Sequence, residues 1–358
     1  MGLLRRNKTP RGAAQGGRPP GPPRGAVRGG RPPEPRRGAG AVERTIFFAS
    51  DLHGSEICFK KFVAAAKFYG ADTLLLGGDV SAKIVVPVVR AGGGSYQAQF
   101  HGHTERLDES SVEDFEHRAW NSGLYTERMD PDEYQHYADH PAEVEQLFDR
   151  VMRRTVQRWL EHAKTKLADS PVIIYNAPGN DDPPAVDEVL LTHGDDRVRF
   201  VEGEIVEIAP GMEMLSTGYT NVTPWDTHRE YSEEQIAGHL AAMTARLSNP
   251  ETAIFNIHVP PYNSRLDTAP LLGQDLKIKT AAGAAMTAPV GSTSVREAIE
   301  DVQPLLSLHG HIHESGGSVK IGRTTAINVG SEYGEGVLRG VLITVGDGRL
   351  LGYQAVSG

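Results

Sequence analysis

Five times along this chain a short run of β-branched and aromatic residues breaks off and is followed by Asp, Asn or His. Thr45-Ile-Phe-Phe-Ala-Ser50 ends at Asp51 and His53, Thr73-Leu-Leu-Leu-Gly-Gly78 at Asp79, and Val172-Ile-Ile-Tyr-Asn-Ala-Pro-Gly179 at Asn180 and Asp181. Ala253-Ile-Phe-Asn-Ile257 ends at His258, and the run that opens at Leu305 closes on Leu308-His309-Gly310-His311-Ile312-His313. Runs this short and this apolar read as strands buried on both faces, which belong to parallel or mixed sheets. Polar groups at the ends of such strands point into the crevice where ligands bind.

Amphipathic stretches alternate with the runs, so the chain reads as an α/β domain over residues 43–358. Residues 55–69 place Ile57, Phe62, Val63 and Ala66 near one helical face, and residues 143–168 repeat apolar side chains from Val144 to Leu167 at three- and four-residue spacing. Ser232 with Gln235, and Ser294 with Glu297, match the capping-box pattern of helix starts. After Pro87 the alternation breaks. Ser95–Phe100 and Glu105–Leu107 flank His101-Gly-His-Thr104 as a β-hairpin, part of an inserted hairpin and helical segment at about 90–142. Residues 262–290 hold Gly, Pro and Ala with little periodicity and read as a long loop, the kind that often shapes a site.

Composition narrows the class. At 358 residues and 39% hydrophobic side chains the chain can bury a sizeable core. Cys58 stands alone, which excludes an intramolecular disulfide and a Cys-rich zinc module. No stretch approaches the roughly 18 apolar residues of a transmembrane helix, and no secretory-type apolar segment opens the chain, so a cytoplasmic protein without membrane partners is expected. Residues 1–42 are a Gly/Pro/Arg-rich extension with nine Arg and one Lys against Glu34; it has almost nothing to bury and is expected to be disordered. The net charge is −9, so residues 43–358 carry −18, a balance that disfavours long polyanions. A nucleic-acid partner is accordingly not favoured, and a small phosphorylated substrate is. The oligomeric state is not legible.

The residue types suit metal chemistry. Carboxylate and amide oxygens favour hard divalent ions and imidazole suits Mn, Fe, Ni and Zn, so a mixed Asp/Asn/His set points to a transition-metal site. Two such ions about 3.5–4 Å apart can clamp both oxygens of an in-line phosphoryl displacement. Any one of these residues has a plainer role as a helix cap, a turn or a packed histidine. Five groups in order, each after an apolar run, are hard to explain that way.

Asp51-Leu-His53, Gly78-Asp79, Gly179-Asn180-Asp181-Asp182, His258 and Gly310-His311-Ile-His313 resemble, in order, the five motifs of the calcineurin-like metallophosphoesterases. The resemblance covers roughly residues 45–345, and Asn328-Val-Gly-Ser331 and Gly330-Ser-Glu-Tyr-Gly-Glu-Gly336 extend it towards an uncharacterised prokaryotic branch. It implies a four-layer α/β sandwich of two mixed β-sheets flanked by helices. It also implies two divalent cations: Asp51, His53 and His313 would bind the first, Asn180, His258 and His311 the second, and Asp79 would bridge them. Mn2+ is the expected metal, with Fe or Zn as alternatives. The implied activity is hydrolysis of a phosphomonoester or small phosphodiester by attack of a metal-bridging hydroxide. A nuclease of the same superfamily and a non-catalytic metal-binding scaffold are the competing readings.

One position departs from the family pattern. Many members carry His after the motif Asn, where it contacts phosphate; this chain has Asp181. Asp181 reads either as a protonated general acid or, with more weight, as a group that orients His53 or a water. Catalytic roles therefore fall to Asp79, Asn180 and Asp181. Substrate contacts are expected from bordering loops, at Asn221, Tyr262 and Ser331, with Thr223, Trp225, Asn263 and Glu332 beside them. His101 and His103 repeat the His-x-His spacing but sit at a hairpin turn without a carboxylate partner, and His309 is expected to pack.

Overall fold

The computed structural model describes residues 4–5, 43–273 and 275–358. One six-stranded sheet runs in the order Arg349–Ser357, Arg339–Gly346, Arg44–Ala49, Thr73–Leu76, Ile173–Asn176, Val198–Phe200. The last four of these strands are mutually parallel, and Arg339–Gly346 is antiparallel to Arg44–Ala49. The second runs Ile205–Ala209, Met212–Thr217, Ile254–Ile257, Leu306–His309, Thr324–Asn328, Gly317–Ile321, with four parallel inner strands and an antiparallel strand at each edge.

Side-chain alternation along these strands builds the layers. Ile46, Phe48, Leu75 and Tyr175 of the first sheet share a core with Met214, Ile254, Leu306, Leu308 and Ile327 of the second. Phe47, Leu74, Leu76 and Ile174 face the other way, onto the helices Glu56–Tyr69, Val144–Lys166 and Pro184–His193. Leu215, Phe255, Ile257 and Ala326 cover the outer face of the second sheet against Glu233–Thr244 and Thr293–Val302. The result is the expected helix–sheet–sheet–helix sandwich. Among the described residues, no helix is long and apolar enough to cross a membrane.

Several local expectations need correction. A strand already runs over Ile84–Ala91, ahead of the hairpin: it pairs with Ser95–Phe100 and lies parallel to Tyr125–Met129, and Val86, Val88, Tyr96, Leu107 and Phe115 form a small core there. Pro87 lies inside that strand. On the side of the Ser95–Phe100 hairpin, described pairing lapses between Val85 and Val89, where a missing N–H is tolerated. Leu4–Arg5 pairs with Ile84 and Val85, so the expectation of an unstructured extension gives way at those two residues; the rest of 1–42 lies outside the described residues.

The stretch 262–290 is not a plain loop. Thr268–Pro270 pairs with Thr287–Pro289, and Thr280–Ala281 pairs with Ala284–Ala285 beyond it. Alanine, glycine and proline gave no alternation because both faces of these strands lie largely in solvent. Ser232 and Gln235 form the expected capping box. The next helix starts at Thr293, capped by Ser292 and not Ser294. Glu233 decides this by accepting from the Ser292 hydroxyl at 2.7 Å and the Ser294 amide at 2.9 Å.

Candidate metal centre

The turns that follow the strands bring the polar strand ends together at one rim of the sandwich. Asp51, His53, Asp79 and His311 all have positive φ, between 41° and 66°, which side chains other than glycine rarely adopt. Such strain persists where surrounding structure holds it, and it gathers at functional sites. Neighbouring glycines make room. A Cβ on Gly179 would lie 2.1 Å from Asp79 Oδ1, and one on Gly310 would lie 2.2 Å from Asp51 Oδ2.

Three overlapping triads of donors result: Asp51, His53 and His313; Asp79, His258 and His311; His53, Asp79 and Asp181. Within each triad the donor atoms lie within 4.8 Å of one another. His53 Nε2 is 3.1 Å from His313 Nε2 and 3.5 Å from Asp79 Oδ2, and His258 Nε2 is 3.4 Å from the same Asp79 oxygen. Asp79 thus faces both groups of histidines. Asn180 Oδ1 is buried without a hydrogen-bond partner, while its Nδ2 donates to Thr227 Oγ1 at 2.8 Å.

These residues fit divalent cations. His258 donates from Nδ1 to the Gly77 carbonyl at 2.9 Å, which turns Nε2 into the site, where it has no hydrogen-bond partner. The electrostatics call for positive charge. Burial pushes the Asp79 carboxyl up to about 6. Burial opposes protonation of His258, yet Asp79 and then Asp51 push it up to about 9. Asp79 and His258 thus share a proton that a divalent cation would displace, while burial pushes His53 and His311 down and keeps them as the neutral imidazoles a cation needs.

Asp181 sits on the rim. Its amide donates to Asp79 Oδ1 at 3.0 Å, and its carboxylate is ion-paired with the Lys83 ammonium. Burial alone would raise the Asp181 carboxyl, but Lys83 and then His53 outweigh it and hold it well below the usual carboxylate range. Its carboxylate also stands within the His53–Asp79 group of donors.

Behind the donors stands Asp182, quoted with the motif but given no role by its sequence. It is buried and accepts from the amides of Val80 at 3.0 Å, Ser81 at 2.8 Å and Gly179 at 2.9 Å, and from the Ser81 hydroxyl at 2.7 Å. One carboxylate therefore binds the Asp79 turn to the Asn180 turn. Lys83 and Tyr333 also escaped sequence reading. Tyr333 packs its ring on His53, with centroids 4.7 Å apart, and edge-on to His313. An isolated Lys and a Tyr in a glycine-rich string carry no periodic signal.

The expected substrate contacts divide. Ser331 donates from Oγ to the Asp51 carbonyl at 2.7 Å, and Asn221 donates to the Val290 carbonyl at 3.2 Å, so both hold loops in place. Thr223 bonds Glu230, which also receives Thr227, the partner of Asn180. The Asn263 amide closes a turn onto Asp267, and Glu332 pairs with Arg339. Tyr262 and Trp225 keep exposed rings. His309 packs as expected, with Nδ1 at 2.8 Å from the Ile257 carbonyl, and burial pushes it down to about 4. His101 and His103 are exposed at the hairpin turn.

No family model matches the chain. An uncharacterised protein of Methanocaldococcus jannaschii, MJ1162, is 35% identical over 120 residues, which make up 33% of this chain and 47% of that protein. The chain thus spans about half the length of this curated relative. One solved crystal structure aligns over 88% of this chain and 99% of its own, with a TM-score of 0.50 and 13% identity. That likeness shows the fold alone. YfcE, a phosphoesterase from E. coli, aligns over 87% of this chain and 99% of its own at 13% identity, with a TM-score of 0.29, too loose to argue from.

Proposed function

We propose that the protein is a metal-dependent phosphoesterase of the calcineurin-like metallophosphoesterase type, acting on a phosphomonoester or small phosphodiester. The observation that carries this reading is the convergence of Asp51, His53, Asp79, His258, His311 and His313, from four separate turns, into donor triads that a third, His53–Asp79–Asp181, links. Asp51, His53 and His313 would hold one cation, His258, His311 and Asn180 the other, and Asp79 both. When bound, two divalent cations lower the pKa of water and neutralise phosphoryl charge. Asn180, with its amide nitrogen held by Thr227, has a buried oxygen without a hydrogen-bond partner that would serve as its ligand atom. Gly77 fixes the His258 tautomer, and Ser331 supports the Asp51 turn.

Retention of every donor favours an enzyme over a scaffold. The acidic body favours a small substrate over duplex nucleic acid. Mn2+ is the proposed metal.

The test is turnover of p-nitrophenyl phosphate and bis-p-nitrophenyl phosphate by protein stripped of metal and resupplied with Mn2+, with Asp79→Asn as control. Metal-dependent hydrolysis that falls at least about a hundredfold in the variant is expected, since Asp79 serves both cations. A protein that holds two metals and hydrolyses neither ester nor any other small phosphate ester would overturn the assignment in favour of a scaffold.

A further inference from the structure

The Lys83–Asp181 pair lies at the rim of the donor cluster. Asp181 follows the Asn180 ligand and Lys83 lies four residues beyond Asp79, so the pair joins the ends of the two turns that Asp182 binds from behind. The Lys83 backbone is anchored. The Val80 and Ser81 amides are held by Asp182, the Val80 carbonyl accepts from Gly54 at 2.9 Å, and a Cβ on Gly54 would meet Ala82 Cβ at 2.4 Å. The side chain is not buried with it. Lys83 keeps 45% of its side-chain surface, whereas Asp51, His53 and Asp79 keep 3% or less. The side chain therefore runs from solvent to the edge of the donor cluster, where its ammonium meets Asp181 and where a substrate must arrive.

Charge makes the placement informative. A phosphate dianion that approaches this rim meets the Asp181 carboxylate, and two like charges at contact repel strongly in a partly desolvated site. Lys83 cancels that charge and presents further N–H donors from the same ammonium, which has three. Lysine suits phosphate as a compact point charge that needs no planar geometry.

We propose that Lys83 is a substrate-binding residue that contacts the phosphoryl oxygens of the bound ester, with Asp181 as the positioning residue that holds its ammonium at the rim. This rests on the phosphoesterase reading above and names the protein cation that the reading lacked.

The experiment uses the full chain loaded with Mn2+ and compares wild type with Lys83→Gln, Lys83→Arg and Asp181→Asn. Metal content, thermal midpoint, calorimetric binding of inorganic phosphate and turnover of p-nitrophenyl phosphate are measured for each. Lys83→Gln is expected to keep wild-type metal content and midpoint while phosphate Kd and KM rise about tenfold or more, the loss of one charge-assisted contact. Lys83→Arg should recover most of that loss. Asp181→Asn leaves the ammonium in place but without its ion-pair partner, and should raise phosphate Kd by about threefold or more with metal content kept, a smaller loss than Lys83→Gln; phosphate affinity unchanged in this variant would overturn the positioning role of Asp181.

Phosphate affinity unchanged in Lys83→Gln, in a wild type that binds phosphate and turns over ester, would overturn this inference and leave the phosphoesterase reading standing. Metal content that falls together with phosphate affinity would also overturn it, because Lys83 would then act through the ligands. A wild type that holds two metals but neither binds phosphate nor hydrolyses ester would overturn both.

Discussion

The turns that carry the donor set and the excursion over 262–290 both leave strand ends of the same sandwich, yet they are held very differently. In the donor turns irregular backbone is held by buried side chains as well as by other backbone groups, such as the Asp51 amide on the Gly78 carbonyl at 2.9 Å. Asp182 takes three amides, the Asn328 side chain bridges the Leu266 and Ile312 carbonyls, and the His311 amide lies 3.1 Å from both oxygens of Asp51. The excursion has such a clamp only at its base, where Asp267 accepts from the amides of Asn263, Ser264 and Gly291. Beyond Pro270 it is a solvent-exposed ladder. Precision at the rim therefore comes from buried carboxylates and amides that satisfy irregular backbone, not from regular secondary structure.

The sharpest way to break this comparison is Asp182→Ala. It strands three backbone donors in a buried turn and is expected to cost about 3–5 kcal/mol in denaturant unfolding. A loss below about 1 kcal/mol would mean the clamp is not what holds the turns together.

Gly310→Ala comes next. Its Cβ would press on Asp51 Oδ2 and Ser50 Oγ, each 2.2 Å away, and should weaken Mn2+ binding about tenfold or more. The stability loss should be smaller, about 1–3 kcal/mol, in calorimetric unfolding. Metal affinity at the wild-type level would show that the Asp51 position tolerates displacement.

A milder contrast lies in Glu202, which holds the Gly218 amide at 2.7 Å and the Thr217 hydroxyl at 3.1 Å. Burial pushes its carboxyl up from 4.5 to about 7. Between those values the folded protein keeps a proton that the unfolded chain has lost, so this group stabilises below pH 4.5 and the contribution fades as pH rises through 7. Glu202→Gln should flatten that part of the stability profile by on the order of 1 kcal/mol, read as unfolding free energy at several pH values. An unchanged slope would assign the pH dependence elsewhere.

The smallest effect is expected in the excursion. Replacing Thr280–Ala285 by Asn-Gly shortens an exposed hairpin tip and should alter stability by no more than about 0.5 kcal/mol, with Mn2+ binding unchanged. A large loss of metal binding would show that the ladder supports the rim after all.

Much of the scaffold was legible because burial leaves a local record. The runs ending at Ser50, Gly78, Gly179, Ile257 and Leu308 map onto strands at Arg44–Ala49, Thr73–Leu76, Ile173–Asn176, Ile254–Ile257 and Leu306–His309. The polar residues after them lie at the rim because those strands are parallel and deliver their carboxyl ends to one edge. Helix Val144–Lys166 was legible from its apolar spacing, and the turn at His101 from its flanking strands. Where both faces of a strand meet solvent, as in 268–289, or where a proline sits inside one, as at Pro87, the pattern fell silent.

Local burial thus marks the five strands that carry the donors, the long helix Val144–Lys166 and the rim on which the polar strand ends gather. These follow from which side chains avoid water within a few residues of one another. Only tertiary structure decided the contacts that give the site its character. Glu233 moved the start of a helix to Ser292, Asp182 tied Val80 and Ser81 to Gly179, and Lys83 met Asp181 across 98 positions of chain. Each depends on one charged side chain that meets groups from a distant segment. Such contacts have no period along the chain, so only the packed fold reveals which donor finds which acceptor.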